Sequence, residues 1–208
     1  MSSMASITKQ VEQVVIDLFR EELPFWAVYH SLEHTTHTVS ASKQIARGSG
    51  LGKRDQEIVT ISSWFHDTGY VFTASGHEER SAQIATQFLQ KHAYPPGGIQ
   101  KVCGCILATR MPQRPGNLLE RIVCDADLAS LGNRSFFRHN ELLRDEIERR
   151  DGIRLDEVAW LRRSYRFLFK HRFHTRYART VLNKGRQANL IRLRGQLRKA
   201  RAQPVEQR

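Results

Sequence analysis

Apolar residues recur along this chain at spacings of three and four, the period of an amphipathic α-helix, and the two-residue alternation of strands joined by hairpin turns is almost absent. Ile7, Val11, Val14, Val15, Leu18 and Phe19 mark one face of a first helix that ends near Pro24. A second runs from about Ser31 to Arg47 and stops at the flexible run GSGLG, Gly48–Gly52. A third starts at Arg54 or Asp55 and carries Ile58, Val59, Ile61, Ser62 and Phe65 into His66-Asp67, where Gly69 breaks it. After a loop over Val71–Gly76, Ala82, Ile84, Ala85, Phe88 and Leu89 predict a fourth helix. Pro95-Pro96-Gly97-Gly98 separates it from a fifth, Ile99 to about Thr109. Met111–Asn117, with two prolines, reads as a loop, and helices are expected at about Leu118–Ser130, Asn133–Arg149, Leu155–Lys170 and Thr175–Arg198. The residues around Pro204 are expected to fray.

This pattern predicts an all-α fold. No internal repeat or linker divides it, so one helical domain over residues 1–160 is expected, with residues 161–208 as a basic helical extension packed on the same domain. Apolar residues make up 40% of the chain, low but enough for a core, and sparse Gly and Pro argue against global disorder.

Charge changes the picture more than composition does. The net charge is +12, but residues 161–208 hold 15 Lys or Arg against the single acid Glu206, a balance of +14, which leaves −2 for residues 1–160. A near-neutral body thus carries a strongly basic final quarter. Its basic residues are interleaved with Tyr165, Phe167, Phe169, Phe173 and Tyr177. They read either as a helical cover with a solvated basic face or as a surface that attracts a phosphorylated substrate or nucleic acid.

Cys103, Cys105 and Cys124 form no CxxC pair, which argues against a disulfide framework or a zinc knuckle and leaves buried free thiols as the expectation. No apolar stretch is long enough to span a bilayer, and MSSMASITKQ lacks the features of a secretory leader. A soluble, cytoplasmic protein that binds no membrane is expected.

Three segments carry candidate chemistry. In Tyr29-His30-Ser31-Leu32-Glu33-His34, a helix starting here would stack His30 and His34 four residues apart on one face, so that His34 could reach a metal with His30 one turn away. In Trp64-Phe65-His66-Asp67-Thr68-Gly69-Tyr70, the adjacent His and Asp could converge on one ion only at a helix end, which Gly69 supplies. In Cys124-Asp125-Ala126-Asp127-Leu128, two acids follow the apolar Leu118, Leu119, Ile122 and Val123, and a carboxylate in such surroundings needs a partner.

The order His34, His66-Asp67, Asp127 resembles the HD-domain superfamily of metal-dependent phosphohydrolases, in particular small bacterial members with a YHxLEH start. The likeness spans roughly residues 28–132. It implies an all-helical fold and a metal held by His34, His66, Asp67 and Asp127, the Ala126-Asp127-Leu128 run favouring Asp127 over Asp125. The YHSLEH start also resembles the YHNxxH signature of cyclic-nucleotide phosphodiesterases, which makes His30 the candidate acid at the leaving group. One departure stands out: the HDxDH signature of those enzymes reads His66-Asp67-Thr68-Gly69-Tyr70, so their residues for a second metal are missing there. His77, Glu78 and Arg80 are alternative candidates for a second metal, a water or a substrate phosphate, an ordinary solvated first turn being the rival reading.

The resemblance therefore implies an enzyme, a metal-dependent phosphoric ester hydrolase in which a divalent ion (Mn, Fe, Zn, Ni or Mg, one or two per chain) activates water. Asp67 would orient that water and His30 would protonate the departing alkoxide. The expected substrate is a phosphomonoester or phosphodiester, with a nucleotide leading. A nuclease or nucleic-acid-binding protein that uses residues 161–208, and a metal-stabilised regulatory domain without turnover, are the alternatives. Asp125 is expected behind the ligands or as a helix cap, and His37, His92, His139, His171 and His174 as structural or exposed residues.

Overall fold

The computed structural model describes residues 6–202, and among these every regular element is helical. The order is α1 (Ile7–Glu22), α2 (Leu32–Gly48), α3 (Lys53–Phe65), a 3₁₀ turn (Thr68–Val71), α4 (His77–Lys91), α5 (Pro96–Ala108), α6 (Leu118–Asp127), a second 3₁₀ turn (Ala129–Gly132), α7 (Phe136–Asp151), α8 (Glu157–Lys170) and α9 (Arg176–Ala202). The all-α expectation holds. The fraying expected around Pro204 lies outside the described residues. Among the described residues no helix is long and apolar enough to cross a membrane.

The third helix is the axle. Every residue from Ile58 to Phe65 is buried, so it packs on all sides instead of along one stripe. Its polar members do not break the packing, because Thr60, Ser62 and Ser63 donate their hydroxyls to the carbonyls of Gln56, Ile58 and Val59 at 2.7, 2.8 and 2.7 Å. On one side Ile58, Ile61 and Phe65 join Val11, Val15, Leu89, Val102 and Ile106. On the other, Val59 joins a second cluster that includes Ile45, Ile122, Val123, Leu168, Leu182 and Leu193.

Four helices start or stop three or more residues from the expected places, α7 beginning at Phe136 and α9 reaching Ala202 besides the two that follow. α5 begins at Pro96, because proline at the first helical position fits the required φ and lacks only an N–H that would go unpaired. The Pro-Pro-Gly-Gly separator is thus partly the helix's own first turn. α6 ends at Asp127 and passes into the 3₁₀ turn instead of running on to Ser130.

The basic extension is firmly docked. Its buried stripe, Ala178, Leu182, Asn189, Leu193, Leu197 and Ala200, follows helical spacing. Gly185 crosses the 3₁₀ turn so closely that a Cβ there would lie 1.8 Å from the carbonyl oxygen of Gly132. Asn189 donates to the carbonyls of Leu131 and Asn133 at 3.0 and 2.8 Å. Buried Asp125 accepts the backbone N–H groups of His174 and Thr175, both at 2.7 Å, just ahead of α9. Cys105 and Cys124 are buried and Cys103 half-buried, all as free thiols.

Candidate metal centre and catalytic cavity

Three helix ends meet at the centre of the molecule. His34 lies in the first turn of α2, His66 and Asp67 follow the last turn of α3, and Asp127 closes α6. As α3 stops, His66 keeps a helical backbone (φ −52, ψ −36) and Asp67 leaves it (φ −109, ψ 6), which turns two adjacent side chains toward one point. Nε2 of His66 then stands 3.0 Å from Asp67 Oδ2 and 3.3 Å from Nε2 of His34. His34 Nε2 is 3.3 Å from Asp67 Oδ2 and 3.2 Å from Asp127 Oδ1, and His66 Nε2 is 3.7 Å from that same oxygen.

These separations suit donors around a common ion. Ligands each about 2.0–2.2 Å from one metal, in tetrahedral or octahedral array, stand about 3.0–3.5 Å from each other. Asp67 Oδ2 supplies the more telling sign: it is buried and makes no hydrogen bond, although two imidazole nitrogens are within reach. Nδ1 of His66 donates to the carbonyl of Ser63 at 2.9 Å, which leaves Nε2 as the ring's lone-pair donor. Gln113, from the loop before α6, donates to the second oxygen of Asp127 at 3.3 Å and to the Cys124 carbonyl at 3.3 Å.

Electrostatics point the same way. Burial alone would push the His34 imidazole down. The hydrogen bond to Asp127 and the charges of Asp67 and Asp127 outweigh it and hold His34 up at about 9. The balance is the same for His66, raised well above its ordinary value. Burial would raise both carboxyls, yet Asp67 and Asp127 are held below the usual range by the imidazoles beside them. A pocket that draws protons onto two buried imidazoles is one that wants positive charge. His34, His66 and Asp127, with donor atoms within 4.8 Å of one another, therefore fit a divalent cation, and Asp67 Oδ2 stands beside both imidazoles.

His30 does not sit in the helix. Ser31 is extended (φ −122, ψ 173) and α2 starts at Leu32, so the expected one-turn stacking of His30 over His34 is replaced by another anchor. Nδ1 of His30 bonds to Glu146 Oε1 on α7 at 2.5 Å. The other oxygen of Glu146 accepts the backbone N–H groups of Tyr29 and His30, each at 2.9 Å. The His30 ring stacks on Tyr70, with centroids 3.9 Å apart and planes 12° from parallel, and its centroid is 6.0 Å from that of His34. The imidazoles are neighbours, as expected, but a buried carboxylate arranges them.

His77 begins α4 and reaches the same centre from the opposite side. A Cβ on Gly69 would lie 2.1 Å from the His77 carbonyl oxygen, so only glycine lets α4 start against the end of α3. Nδ1 of His77 donates to the Ala74 carbonyl at 3.0 Å, and Nε2 faces Asp67 Oδ1 at 3.6 Å and Glu78 Oε1 at 3.5 Å. Arg80 is not brought in. Its guanidinium lies over the Phe72 ring, 4.3 Å from the centroid, and bonds to Gln83, away from the residues that line the cavity.

Beside this cluster opens a cavity of about 550 Å³. His30, Asp67, His77, Glu78 and Asp127 line its polar end. The far wall belongs to α7 and α8, where Leu143, Trp160 and Phe167 alternate with Arg150 and Arg163. That wall, with Glu146 behind His30, escapes the motif reading. The available signal is periodic: Phe136, His139, Leu143 and Glu146 share one face of α7. A second group, Glu33, His37 and His139, has donor atoms within 4.8 Å of one another. There Arg138 already pairs with Glu33, through bonds of 2.7 and 2.9 Å.

No family model matches the chain, and no curated protein matches it. Among solved structures it is similar to the crystal structure of a predicted HD superfamily hydrolase from an uncultured Thermotogales bacterium. The two superpose with a TM-score of 0.61 over 94% of this chain and 99% of the other, at 17% sequence identity. The two chains share one all-helical fold. At that identity the likeness speaks for the architecture alone, and the grouping of His34, His66, Asp67 and Asp127 stands on the distances given above.

Proposed function

We propose that this protein is a metal-dependent phosphohydrolase that cleaves a phosphomonoester or phosphodiester, with a nucleotide as the substrate class. The observation that carries the reading is that His34, His66 and Asp127 bring donor atoms within 4.8 Å of one another, with Asp67 Oδ2 left unbonded at 3.0 and 3.3 Å from the two imidazoles, beside a cavity that Asp67 and Asp127 line. His34, His66, Asp67 and Asp127 would hold the ion, and His77 with Glu78 could complete a second position on Asp67 Oδ1. When bound, a divalent ion there supplies Lewis acidity, polarising the phosphoryl group and making water acidic near neutral pH.

The remaining chemistry belongs to the protein. Glu146 fixes the His30 ring and its tautomer through Nδ1, so the proton for the leaving group is carried on Nε2. As the ester P–O bond breaks, that proton passes to the departing alkoxide oxygen and His30 is left neutral. Asp67 would orient the attacking water through Oδ1, the oxygen it turns toward His77. Arg163, and Arg150 through the Nη1 that its paired bonds to Asp151 do not engage, would offer charge-assisted hydrogen bonds to the phosphate oxygens, and Trp160 and Phe167 would offer flat apolar surface to the remainder of the substrate, as a nucleobase would use. The nucleotide reading draws on this mixture of arginine and aromatic lining.

Asp67→Ala tests the proposal. Hydrolysis of nucleotides and of a generic phosphodiester in the presence of Mn²⁺ should fall by about 10³-fold or more, with helicity by circular dichroism unchanged. Activity equal to that of the unaltered protein would refute it.

A further inference from the structure

Residues 161–202 contain fourteen Lys or Arg and no acid, and among the described residues none of the fourteen forms a salt bridge. α7 handles its charge differently: Arg144 pairs with Glu148 and Arg149 with Asp145, each four residues apart. On α8, the i and i+4 positions Arg162 and Arg166 are instead both cationic, as are Arg194 and Arg198 on α9. Like charges at that spacing oppose helix formation, so a helix needed only as a cover would do better with acids interspersed.

The cations are also gathered. Arg162 and Arg166 from α8 and Arg194 and Arg201 from α9 line a cleft of about 490 Å³ between the two helices, with Tyr165 and Leu197 between them. The Tyr165 ring stacks on that of Phe169, planes 13° from parallel, and Phe169 is 53% exposed. Guanidinium groups on both banks and an aromatic strip beside them match a phosphate backbone whose bases are free to stack. A duplex hides its base faces. Arg163, the next residue on α8, turns instead to the hydrolase cavity, so the cleft is a separate place.

We propose that the α8–α9 cleft binds single-stranded nucleic acid, with Arg162, Arg166, Arg194 and Arg201 on the phosphates and Tyr165 with Phe169 against the bases. This binding stands apart from hydrolysis in the cavity and is measured without turnover.

The test is fluorescence anisotropy of the whole protein with labelled single-stranded RNA and DNA of about 16 nucleotides. Four phosphate contacts at a slope of about −0.7 each predict a roughly 50-fold loss of affinity between about 50 and 200 mM salt. Arg162→Gln/Arg166→Gln and Arg194→Gln/Arg201→Gln change exposed side chains only, and each pair should about halve that slope and weaken binding at low salt at least tenfold. Lys9→Gln/Arg20→Gln on α1 removes the same charge elsewhere and should leave binding within twofold. No saturable binding at low salt, or equal loss in the α1 pair and the cleft pairs, overturns the proposal. So does binding of the matching duplex, of inorganic polyphosphate or of phosphatidylserine vesicles as tightly as the single strand.

Discussion

The two ends of the cavity are built on opposite plans. At the cation end, four side chains come from three helix termini, and each is fixed by where its helix starts or stops. The α7–α8 wall draws on residues from helix interiors, Leu143, Glu146, Arg163 and Ser164, whose positions follow from which face each helix turns inward. Helix ends are punctuated by glycine, capping residues and the close of an apolar run, and they place a group within a fraction of a turn. Interior positions carry no such punctuation. In the proposed chemistry the first end would hold the ion and the second would steer protons and bind the substrate, so their failures should differ in kind.

Removing His30 should give the larger effect on the second end. His30→Gln is expected to lower kcat by about 10²-fold to 10⁴-fold with metal content unchanged, as for loss of a general acid. Glu146→Gln, acting through His30, should lower kcat by about 10–100-fold and alter the pH profile, which a role confined to packing would not do. A Glu146→Gln variant with the unaltered profile would break the distinction drawn here. Milder still is Arg150→Gln/Arg163→Gln, which should raise KM about tenfold with kcat nearly kept, measured by steady-state kinetics.

The smallest effect concerns stability. Burial, with His34 and His37 nearby, pushes the His139 imidazole down to about 4, so the folded protein prefers it neutral. For a histidine lowered in this way, the stabilising contribution is complete above about 6.5, its ordinary value, and is lost as pH falls toward 4. Chemical denaturation at pH 7 and pH 5 should show the unaltered protein losing more stability over that interval than His139→Gln. Equal losses would show that His139 is not held neutral.

The same contrast explains what could be read from the chain. His66-Asp67 and Asp127 stand out in sequence because each closes an apolar run, His34 is legible through the resemblance that YHSLEH carries, and Asp125 reads as a supporting residue because the Ala126-Asp127-Leu128 run resembles the family's closing motif. Asp125 does cap the approach to α9. Glu146 was hidden: FFRHNELLRDEIERRD is crowded with charge, and one buried carboxylate among solvated ones leaves no local mark. Only its register with Phe136, His139 and Leu143 hints at burial. Gln113 sat in a segment legible as a loop but not as a reach back to Asp127. The interleaved aromatics of the final quarter pointed to packing on the body, yet nothing local showed that Arg163 would turn to one cavity and Arg162 to another. Such information lies in how α8 is rotated against its neighbours, which no single segment encodes.

The central claim is that four side chains share one cation, and metal stoichiometry tests it most directly. Protein stripped with chelator and titrated calorimetrically with Mn²⁺ or Zn²⁺ should bind at least one ion per chain. Asp127→Ala should weaken that site by more than about 100-fold, since even an outer-shell partner is worth about 10–100-fold, whereas Asp125→Asn, two residues away, should keep it. A chain that binds no divalent ion, or an Asp127→Ala variant that binds as tightly as the original, would contradict the account.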